Sequence, residues 1–452
     1  MKFFRALFNR DNFFILALVG ILGVIVSKID INLQFLNPIE QTFSDFDVTD
    51  IYFSQLKGDE KAEERITIVN IGTLGRGEIS ELIQIVGKNQ PKVVGIDATF
   101  DELKGSMDTI TKKLKPTIED SLLQDAIKMV NAESNKNKVV MVTKASYKAN
   151  STEKKKEKSN YDSLETSDKF FSQYADGGLA NLITEGTRDN VLTDDAKANG
   201  LETSRTFAPK EDINKERHLC FAAKIAEKYA PEKTSKMLQR NNETEYINFK
   251  GSIKKYQLID HEQLRQMSGD TSANKALQAL FKDKIVLFGY MGPTINTKTS
   301  SDEDKFFTPM NPIYIGKSSR DMYGIVVHAN IISMILDEDY IDEMPGWLNY
   351  TVVFLIAFLA IALFSYSYKT MDFWFDGISL LTQAIFTLAI LFLIIFVFDR
   401  FNVRVDWNLG ILAVIFAPNV IEIYFGVVKR WYERTLRERR NRDKATVSNE
   451  LL

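Results

Sequence analysis

The chain has 452 residues, of which 45% are hydrophobic and 26% charged, and its formal net charge is −3. This composition excludes a disordered or collagen-like chain, and the length leaves room for about two to three domains of ordinary size. A single cysteine, Cys220, and three histidines exclude an intramolecular disulfide and a cysteine-rich zinc site, so we expect neither a metal nor a cofactor.

The first predicted element is a membrane segment. Residues 13–26 form an unbroken apolar run that follows three basic residues. The run is short for a membrane span and resembles the core of a signal peptide, but residues 27–30 contain no small-x-small cleavage site. We therefore predict an uncleaved transmembrane helix over residues 12–29 after a cytoplasmic N-terminus, residues 1–11. A cleaved signal is the alternative.

Residues 30–345 carry the patterns of a folded α/β domain. Residues 65–71 alternate as a β-strand does, and apolar residues then recur at helical spacing over residues 79–86. A second buried strand over residues 92–97 completes a βαβ unit with parallel strands and a right-handed crossover. Further predicted elements are a helix over residues 118–130, strands over residues 139–142 and 284–289, and a helix over residues 324–336. The order predicts a doubly wound, mostly parallel sheet with insertions.

Three apolar segments near the C-terminus are long enough to cross a bilayer at about 1.5 Å per residue. We predict transmembrane helices over residues 346–366, 376–398 and 407–428, which makes four spans with the first. The last of these segments is the least uniform, because it contains Pro418 and Glu422.

The distribution of charge predicts the orientation. The N-terminal flank is basic, and the tail, residues 429–452, holds eight basic and four acidic residues, so both ends are expected inside the cell. Residues 1–29 carry +3 and residues 346–452 carry +2; the chain total of −3 therefore leaves −8 for residues 30–345. An acidic outer domain argues against a nucleic-acid partner. The orientation predicts a multi-pass membrane protein whose α/β domain, residues 30–345, is extracytoplasmic.

Several strings carry a family resemblance: Asn37-Pro38-Ile39-Glu40 leading to Asp45, Ile66 to Ile71, Val93 to Phe100, Lys284 to Gly289, Phe307-Thr308-Pro309 and Tyr323 to Asn330. In this order, with one membrane segment before all of them and three after, the chain resembles the CHASE2 family, the second type of cyclase/histidine-kinase-associated sensory extracellular domain. The resemblance implies an extracytoplasmic sensory domain in a bacterial receptor. It therefore also implies a multi-pass protein of the bacterial inner membrane, with its large domain in the periplasm or outside.

The chain departs from that family after its last predicted span. Family members usually continue into a kinase, histidine kinase or nucleotide cyclase, whereas only residues 429–452 follow here, too few for a catalytic domain. We also find no nucleophile elbow, His-Glu-x-x-His pair or kinase catalytic string. The glycine-rich loop at residues 72–77 fits a plain turn or a phosphate cradle, and it lacks the family's Trp-Pro-Trp-type segment. We therefore expect a protein that is not an enzyme.

Candidate ligand contacts follow from the geometry of parallel sheets, whose ligands bind beyond the carboxyl ends of the strands. Asp97 and Thr99 follow the second strand, Arg76 lies after the first, and Asp304 and Thr308 lie in the loop after residue 289. These side chains are predicted to converge at one edge of the sheet. The alternative for Asp97 is that its carboxylate caps loop amides.

Two further residues have a functional and a structural interpretation. His328 lies in an apolar helix, where it is either a ligand contact or pH-sensitive group, or a packing residue with a hydrogen bond. Glu422 is a membrane carboxylate, which is either functional or solvated near the inner interface.

These features predict a membrane-anchored sensor without catalytic output, which passes a signal to a partner. The alternative is a structural or accessory subunit of a cell-envelope complex that docks proteins on its outer domain; transport has little support, since the spans hold few charges. The expected partners are the lipid bilayer and an unidentified cytoplasmic or envelope protein, and a homo-oligomer stays open. The basic tail either docks that protein or lies on anionic lipid.

Overall fold

The computed structural model describes residues 8–28, 47–58, 61–107, 114–132, 137–146, 161, 163–182, 203–295, 304–312, 319–371 and 374–450. The string from Asn37 to Asp45 that contributes to the family resemblance lies outside these residues. The chain divides into two compact units, one of residues 41–341 and one of residues 1–40 with 342–452.

The helices and strands are numbered separately along the chain. The α-helices are α1 (Arg10–Lys28), α2 (Val48–Ile51), α3 (Arg76–Lys88), α4 (Ile118–Asn131), α5 (Lys169–Ser172), α6 (Phe221–Tyr229), α7 (Pro231–Gln239), α8 (His261–Gly269), α9 (Asn274–Phe281), α10 (Gly324–Asp337), α11 (Gly346–Thr370), α12 (Phe375–Phe401), α13 (Asn408–Ile423) and α14 (Lys429–Glu450). Two π-turns, Tyr52–Leu56 and Tyr424–Val428, follow α2 and α13, and short 3₁₀-helices span Ile253–Lys255 and Thr271–Ala273.

The strands are β1 (Glu63–Asn70), β2 (Val93–Ile96), β3 (Val139–Ser146), β4 (Ser163–Glu165), β5 (Asp176–Leu179), β6 (Thr206–Phe207), β7 (Lys210–Ile213), β8 (Glu216–Leu219), β9 (Glu245–Tyr246), β10 (Tyr256–Asp260), β11 (Ile285–Gly289), β12 (Lys305–Phe306), β13 (Met322–Tyr323), β14 (Asp342–Glu343) and β15 (Val403–Arg404).

The unit of residues 41–341 is built on a seven-stranded sheet in the order β10-β1-β11-β2-β3-β4, with β5 also paired to β3. All its neighbouring strands run parallel except β3 and β4. The predicted α/β class with a mostly parallel sheet is therefore confirmed. The two strands of the predicted βαβ unit, β1 and β2, are parallel but not neighbours, because β11 lies between them.

Helices cover both faces of this sheet. Val94 and Ile96 of β2 belong to a core cluster with residues of α3, α4, α8 and α9, which places those helices on one face. Gly95 points to the other face, since side chains alternate along a strand. A Cβ added at Gly95 would lie 2.5 Å from Cδ1 of Ile225 in α6. Only a glycine lets α6 pack this closely on the sheet, and α10 packs beside α6.

In the other unit, α11 packs against α13, and both contact α1 and α12. Among the described residues, three helices are long and apolar enough to cross a membrane: Gly346–Thr370, Phe375–Phe401 and Asn408–Asn441. Helix α1 occupies the first predicted span. The segment before α11 pairs through β14 with β15, which connects α12 to α13. The predicted tail is largely a helix, α14, which follows α13 through a π-turn.

Candidate functional site

The carboxyl ends of β1, β11 and β2 lie side by side at one edge of the sheet, where the chain leaves neighbouring strands toward opposite faces. The helices that follow β1 and β2 lie on the face that carries α3 and α4, whereas α10, which follows β11, packs with α6 on the opposite face. Such a change of direction between neighbouring strands opens a space in which α/β proteins bind ligands. The residues that follow these strand ends are the candidates for a site.

Asp97 lies at this edge directly after β2. Its backbone N–H donates to the carbonyl of Phe288 in β11 at 2.8 Å, and protein surrounds its carboxyl group although the residue stays partly exposed. Burial and the nearby Asp304 raise the pKa of Asp97 to about 7, against a smaller opposite effect of Lys144. The carboxylate accepts no hydrogen bond from a described residue, so it caps no amide there. A carboxyl group of this kind can both accept and donate a hydrogen bond near neutral pH.

Asp304 connects the same edge to the start of α10. Its backbone has a φ of 58°, and its carbonyl accepts a hydrogen bond from the N–H of Gly324 at 3.0 Å. A Cβ added at Gly324 would lie 3.5 Å from Asp304 Oδ1, so the glycine gives the carboxylate room beside the helix start. The positive end of a helix dipole favours a negative charge at this position.

Two tyrosines contribute aromatic surface near Asp304. The rings of Tyr290 and Tyr323 meet edge to face with centroids 6.5 Å apart, and Lys305 Nζ lies 4.9 Å from the centre of the Tyr323 ring. Burial, with Tyr290 and Asp304 nearby, raises the pKa of the Tyr323 hydroxyl. Sequence reasoning missed these tyrosines and Lys144, although both tyrosines stand next to predicted elements. We call the group Asp97, Lys144, Tyr290, Asp304 and Tyr323 the strand-end recess.

Thr308 and Thr99 differ in their surroundings. Thr308 is 2% exposed, and both its N–H and its hydroxyl donate to the carboxylate of Asp321, whose pKa burial raises to about 6. These two hydrogen bonds therefore stabilise the loop before α10. Thr99 is partly exposed two residues after Asp97. A ligand contact by either threonine stays a prediction.

Arg76 is buried between α3 and α4. Its guanidinium pairs with Asp120 at 2.5 Å and lies 5.7 Å from the centre of the Phe100 ring and 5.5 Å from that of Phe171. Through these contacts, the Arg76 side chain connects α3 to α4 and packs on two aromatic rings. In the glycine-rich loop, Glu78 Oε2 accepts a hydrogen bond from the N–H of Gly75 at 3.0 Å, so a carboxylate of the chain already caps the start of α3.

His328 and Glu422 are the two remaining candidates, one in α10 and one in α13. His328 is 3% exposed, its ring meets Phe221 edge to face at 5.2 Å, and burial lowers its pKa to about 4. Its Nδ1 has no hydrogen-bond partner within the described part of the chain. Its ring therefore packs against Phe221 as a neutral imidazole near pH 7, and a ligand contact by His328 stays a prediction. Glu422 is exposed and lies beside Asp376 in the first turn of α12, which places it near a helix end.

The raised pKa of Asp97 predicts a pH-dependent stability. The pKa of Asp97 is about 7 in the folded protein, whereas its ordinary value is 3.8. Between about pH 4 and pH 7, Asp97 is therefore protonated in the folded state and ionised in the unfolded state. Stability therefore falls as pH rises through this window. We therefore compare the unfolding free energy of Asp97→Asn with that of wild type at each pH. Relative to wild type, the variant is expected to be more stable at pH 8 than at pH 4.5 by on the order of 2 kcal/mol, allowing for partial exposure. Pulse proteolysis in urea measures this difference.

The matched control for this prediction is Asp101→Asn, which changes an exposed aspartate four residues along the chain. We expect that variant to shift the unfolding free energy equally at both pH values. An Asp97→Asn effect that is the same at pH 4.5 and pH 8 would show that burial does not raise the pKa of Asp97.

Among the described residues, no group of three or more histidine, cysteine, aspartate or glutamate side chains is placed to hold a metal ion. Comparison with protein-family models matches residues 19–365 to the CHASE2 domain. Neither a curated protein nor a solved structure matches the chain.

Proposed function

Since the chain belongs to the CHASE2 domain family, whose domains are extracytoplasmic sensors, we propose that it receives a small ligand at the strand-end recess and passes the signal to a partner protein without catalysis of its own. The single observation that carries this proposal is the position of α10. This helix begins at the recess, and the chain that leaves it continues directly into a membrane helix.

Helix α10 is suited to transmit a displacement because it is rigidly held. Every residue from Gly324 to Leu336 is buried, and the helix is about 21 Å long at 1.5 Å per residue. Its first turn lies against the carboxylate of Asp304. A ligand that moves Asp304 or Tyr323 therefore acts on the first turn of α10, and the buried helix shifts as a rigid body.

Ion pairs hold the other end of α10. Arg65 pairs with Asp337 at 2.8 Å, Lys236 with Glu338 at 2.7 Å, and Lys250 with Asp339. Four residues separate Ile341 from α11, which starts at Gly346. These pairs couple the end of α10 to the strand, the helix and the loop that carry the basic residues. A shift of α10 would reach α11 through the short connection between the two helices.

The proposed topology has four spans, both ends in the cytoplasm and residues 30–345 outside. The contacts of Asp11 support it: its carboxylate lies 2.7 Å from Lys429 Nζ and 3.4 Å from Lys369 Nζ. The start of α1, the end of α11 and the end of α13 therefore lie together, as an alternating bundle of four helices requires. The basic tail at this end favours the cytoplasmic side.

A thermal denaturation screen of the full chain in detergent tests the sensory role. We expect at least one compound in a library of small polar metabolites, amino acids and amines to raise the melting temperature of the wild type by several degrees, as ligand binding to the folded state requires. Asp97→Asn is expected to lose this shift, and Asp101→Asn to keep it.

The alternative function, an accessory subunit that docks envelope proteins, predicts a different outcome of that screen. No metabolite then stabilises the chain, and instead a protein copurifies in mild detergent and is lost when exposed residues of the outer domain are changed. A compound whose effect survives Asp97→Asn would contradict the recess as the site.

The tail is the proposed output surface, because α14 is much longer than the connection between α11 and α12, residues 371–374. We expect truncation after Lys444 to preserve capture of a cytoplasmic partner, and truncation after Lys429 to abolish it while insertion into the membrane continues. Copurification from mild detergent measures both. If the shorter protein inserts and retains the same cytoplasmic proteins, the tail serves only as an anchor on lipid.

A further inference from the structure

One carboxylate, that of Asp11, connects the first membrane helix to the start of the tail helix. The hydroxyl of Tyr424 donates to Asp11 Oδ1 at 3.0 Å, and Lys429 Nζ donates to Oδ2 at 2.7 Å. Lys369 at the end of α11 lies 3.4 Å from the same Oδ2. The ring of Phe425 contacts both lysines, with the ammonium of Lys369 4.7 Å and that of Lys429 5.2 Å from its centre. We call these five residues the Asp11 clasp.

The two clasp residues Tyr424 and Lys429 are the two ends of a π-turn. The N–H of Lys429 donates to the carbonyl of Tyr424, five residues earlier. In an α-helix, residues five apart point about 140° away from each other, because each residue turns by about 100°. A π-turn takes in one more residue per turn, which brings such residues to nearly the same side. Asp11 therefore contacts Tyr424 and Lys429 together in the π-turn, and an α-helix would separate them.

We propose that the Asp11 clasp is a rotary switch that holds the segment Tyr424–Val428 in the π conformation. When α1 moves and withdraws Asp11, the segment returns to the more stable α-helix, and α14 rotates by on the order of 100°, the angle of one residue. Gly426, in the middle of the turn, faces open space, since nothing lies within 4 Å of a Cβ added there. The rotation would change which side of the tail faces a partner, and only this last role rests on the proposed function.

The test measures the rotation directly in the full-length protein in lipid nanodiscs, with Cys220 replaced by alanine. One spin label is attached at Gly377→Cys, where an added side chain meets nothing within 4 Å, and a second is moved singly along residues 434–440. The distance between the labels, measured by pulsed electron paramagnetic resonance, oscillates along the tail with the helical period. The phase of this oscillation gives the direction in which each side of α14 points.

Asp11→Asn is expected to shift this phase by on the order of 100°. Deletion of Gly426 removes the extra residue of the π-turn, so the combination of Asp11→Asn with this deletion is expected to restore the wild-type phase. The matched control is Asp399→Asn, which changes an exposed aspartate near the other end of α12 and should leave the phase unchanged.

A phase that stays at the wild-type value in Asp11→Asn, or that stays shifted in the combined variant, overturns the proposal. If Asp11→Asn does not assemble, Tyr424→Phe replaces it: loss of one hydroxyl should populate the rotated state beside the original, and a single unshifted population overturns the proposal equally. Because the measurement uses neither a ligand nor a partner, its failure is distinct from a failure of the sensory role.

Discussion

Replacement of Arg205 by alanine is expected to lower the free energy of unfolding of the unit formed by residues 41–341 by about 3–5 kcal/mol. The guanidinium of Arg205 pairs with Asp50 through two bonds, Nε to Oδ1 at 3.0 Å and NH2 to Oδ2 at 2.6 Å. Both side chains are nearly inaccessible, 5% and 3% exposed, and burial raises the pKa of Asp50 despite the arginine. Loss of Arg205 leaves the carboxylate of Asp50 in the interior without a paired cation, although it keeps a hydrogen bond from the N–H of Asp47 at 3.2 Å.

This pair also has a mechanical role, because Asp50 lies in the first described segment after α1. Helix α2 and the following π-turn are held on the unit by the Arg205–Asp50 pair, by the edge-to-face contact of Phe53 with Phe249 and by Lys57, which donates to the carbonyl of Phe249. We therefore expect Arg205→Ala to release this segment before the rest of the unit unfolds, so that residues 48–56 show the earliest increase in hydrogen exchange.

Tryptophan fluorescence cannot measure this unfolding, since all four tryptophans, Trp347, Trp374, Trp407 and Trp431, lie in the other unit. Pulse proteolysis in urea reports the unit of residues 41–341 instead. The matched control is Arg217→Ala, whose pair with Asp212 is 63% exposed on both sides, and which should cost less than about 1 kcal/mol. Equal effects of the two variants would contradict a buried pair.

Arg76→Ala is expected to cost about 3 kcal/mol of unfolding free energy. The substitution removes the partner of Asp120, whose side chain is fully buried, and the cation that stacks on Phe100 and Phe171. Asp120 keeps hydrogen bonds from the N–H groups of Thr117 and Lys104, which places the effect at the lower end of the range for a broken buried pair.

The same variant separates the two interpretations of Arg76. Packing between α3 and α4 predicts loss of stability in urea without any ligand, whereas the ligand contact predicted from the sequence leaves stability unchanged and weakens only the stabilisation by ligand. Arg265→Ala is the control, because Arg265 also pairs with α3, through Glu78 and Glu81, but is partly exposed. We expect it to cost less than about 1 kcal/mol.

The sequence predicted the central α/β elements well because each carries a local signal. The strand predicted over residues 92–97 is β2, the strand predicted over residues 284–289 is β11, and the helix predicted over residues 324–336 is α10. Alternation, helical spacing and bounding glycines are properties of a few neighbouring residues. The insertion of β11 between β1 and β2 has no local signal, since about 190 residues separate β2 from β11.

Long-range pairing also limited what the sequence revealed about the candidate site. Arg76 and Thr308 were predicted as ligand contacts from their positions after strands. The sequence does not reveal that Asp120, 44 residues away, pairs with Arg76, or that Asp321 accepts hydrogen bonds from Thr308. Asp97 was identified because its strand-end position is itself a local feature, whereas Tyr290 and Tyr323 become neighbours only when β11 and α10 are in place.

Cysteine labelling in intact cells tests the central claim most directly, namely that an outer sensory unit is connected through four membrane helices to a cytoplasmic tail. With Cys220 replaced by alanine, single cysteines are introduced at the exposed Lys282 and at Ala445, and the cells are treated with a membrane-impermeant maleimide. We predict that Lys282→Cys is labelled at once and Ala445→Cys only after the membrane is permeabilised. Labelling of Ala445→Cys in intact cells, or protection of Lys282→Cys, would contradict the account.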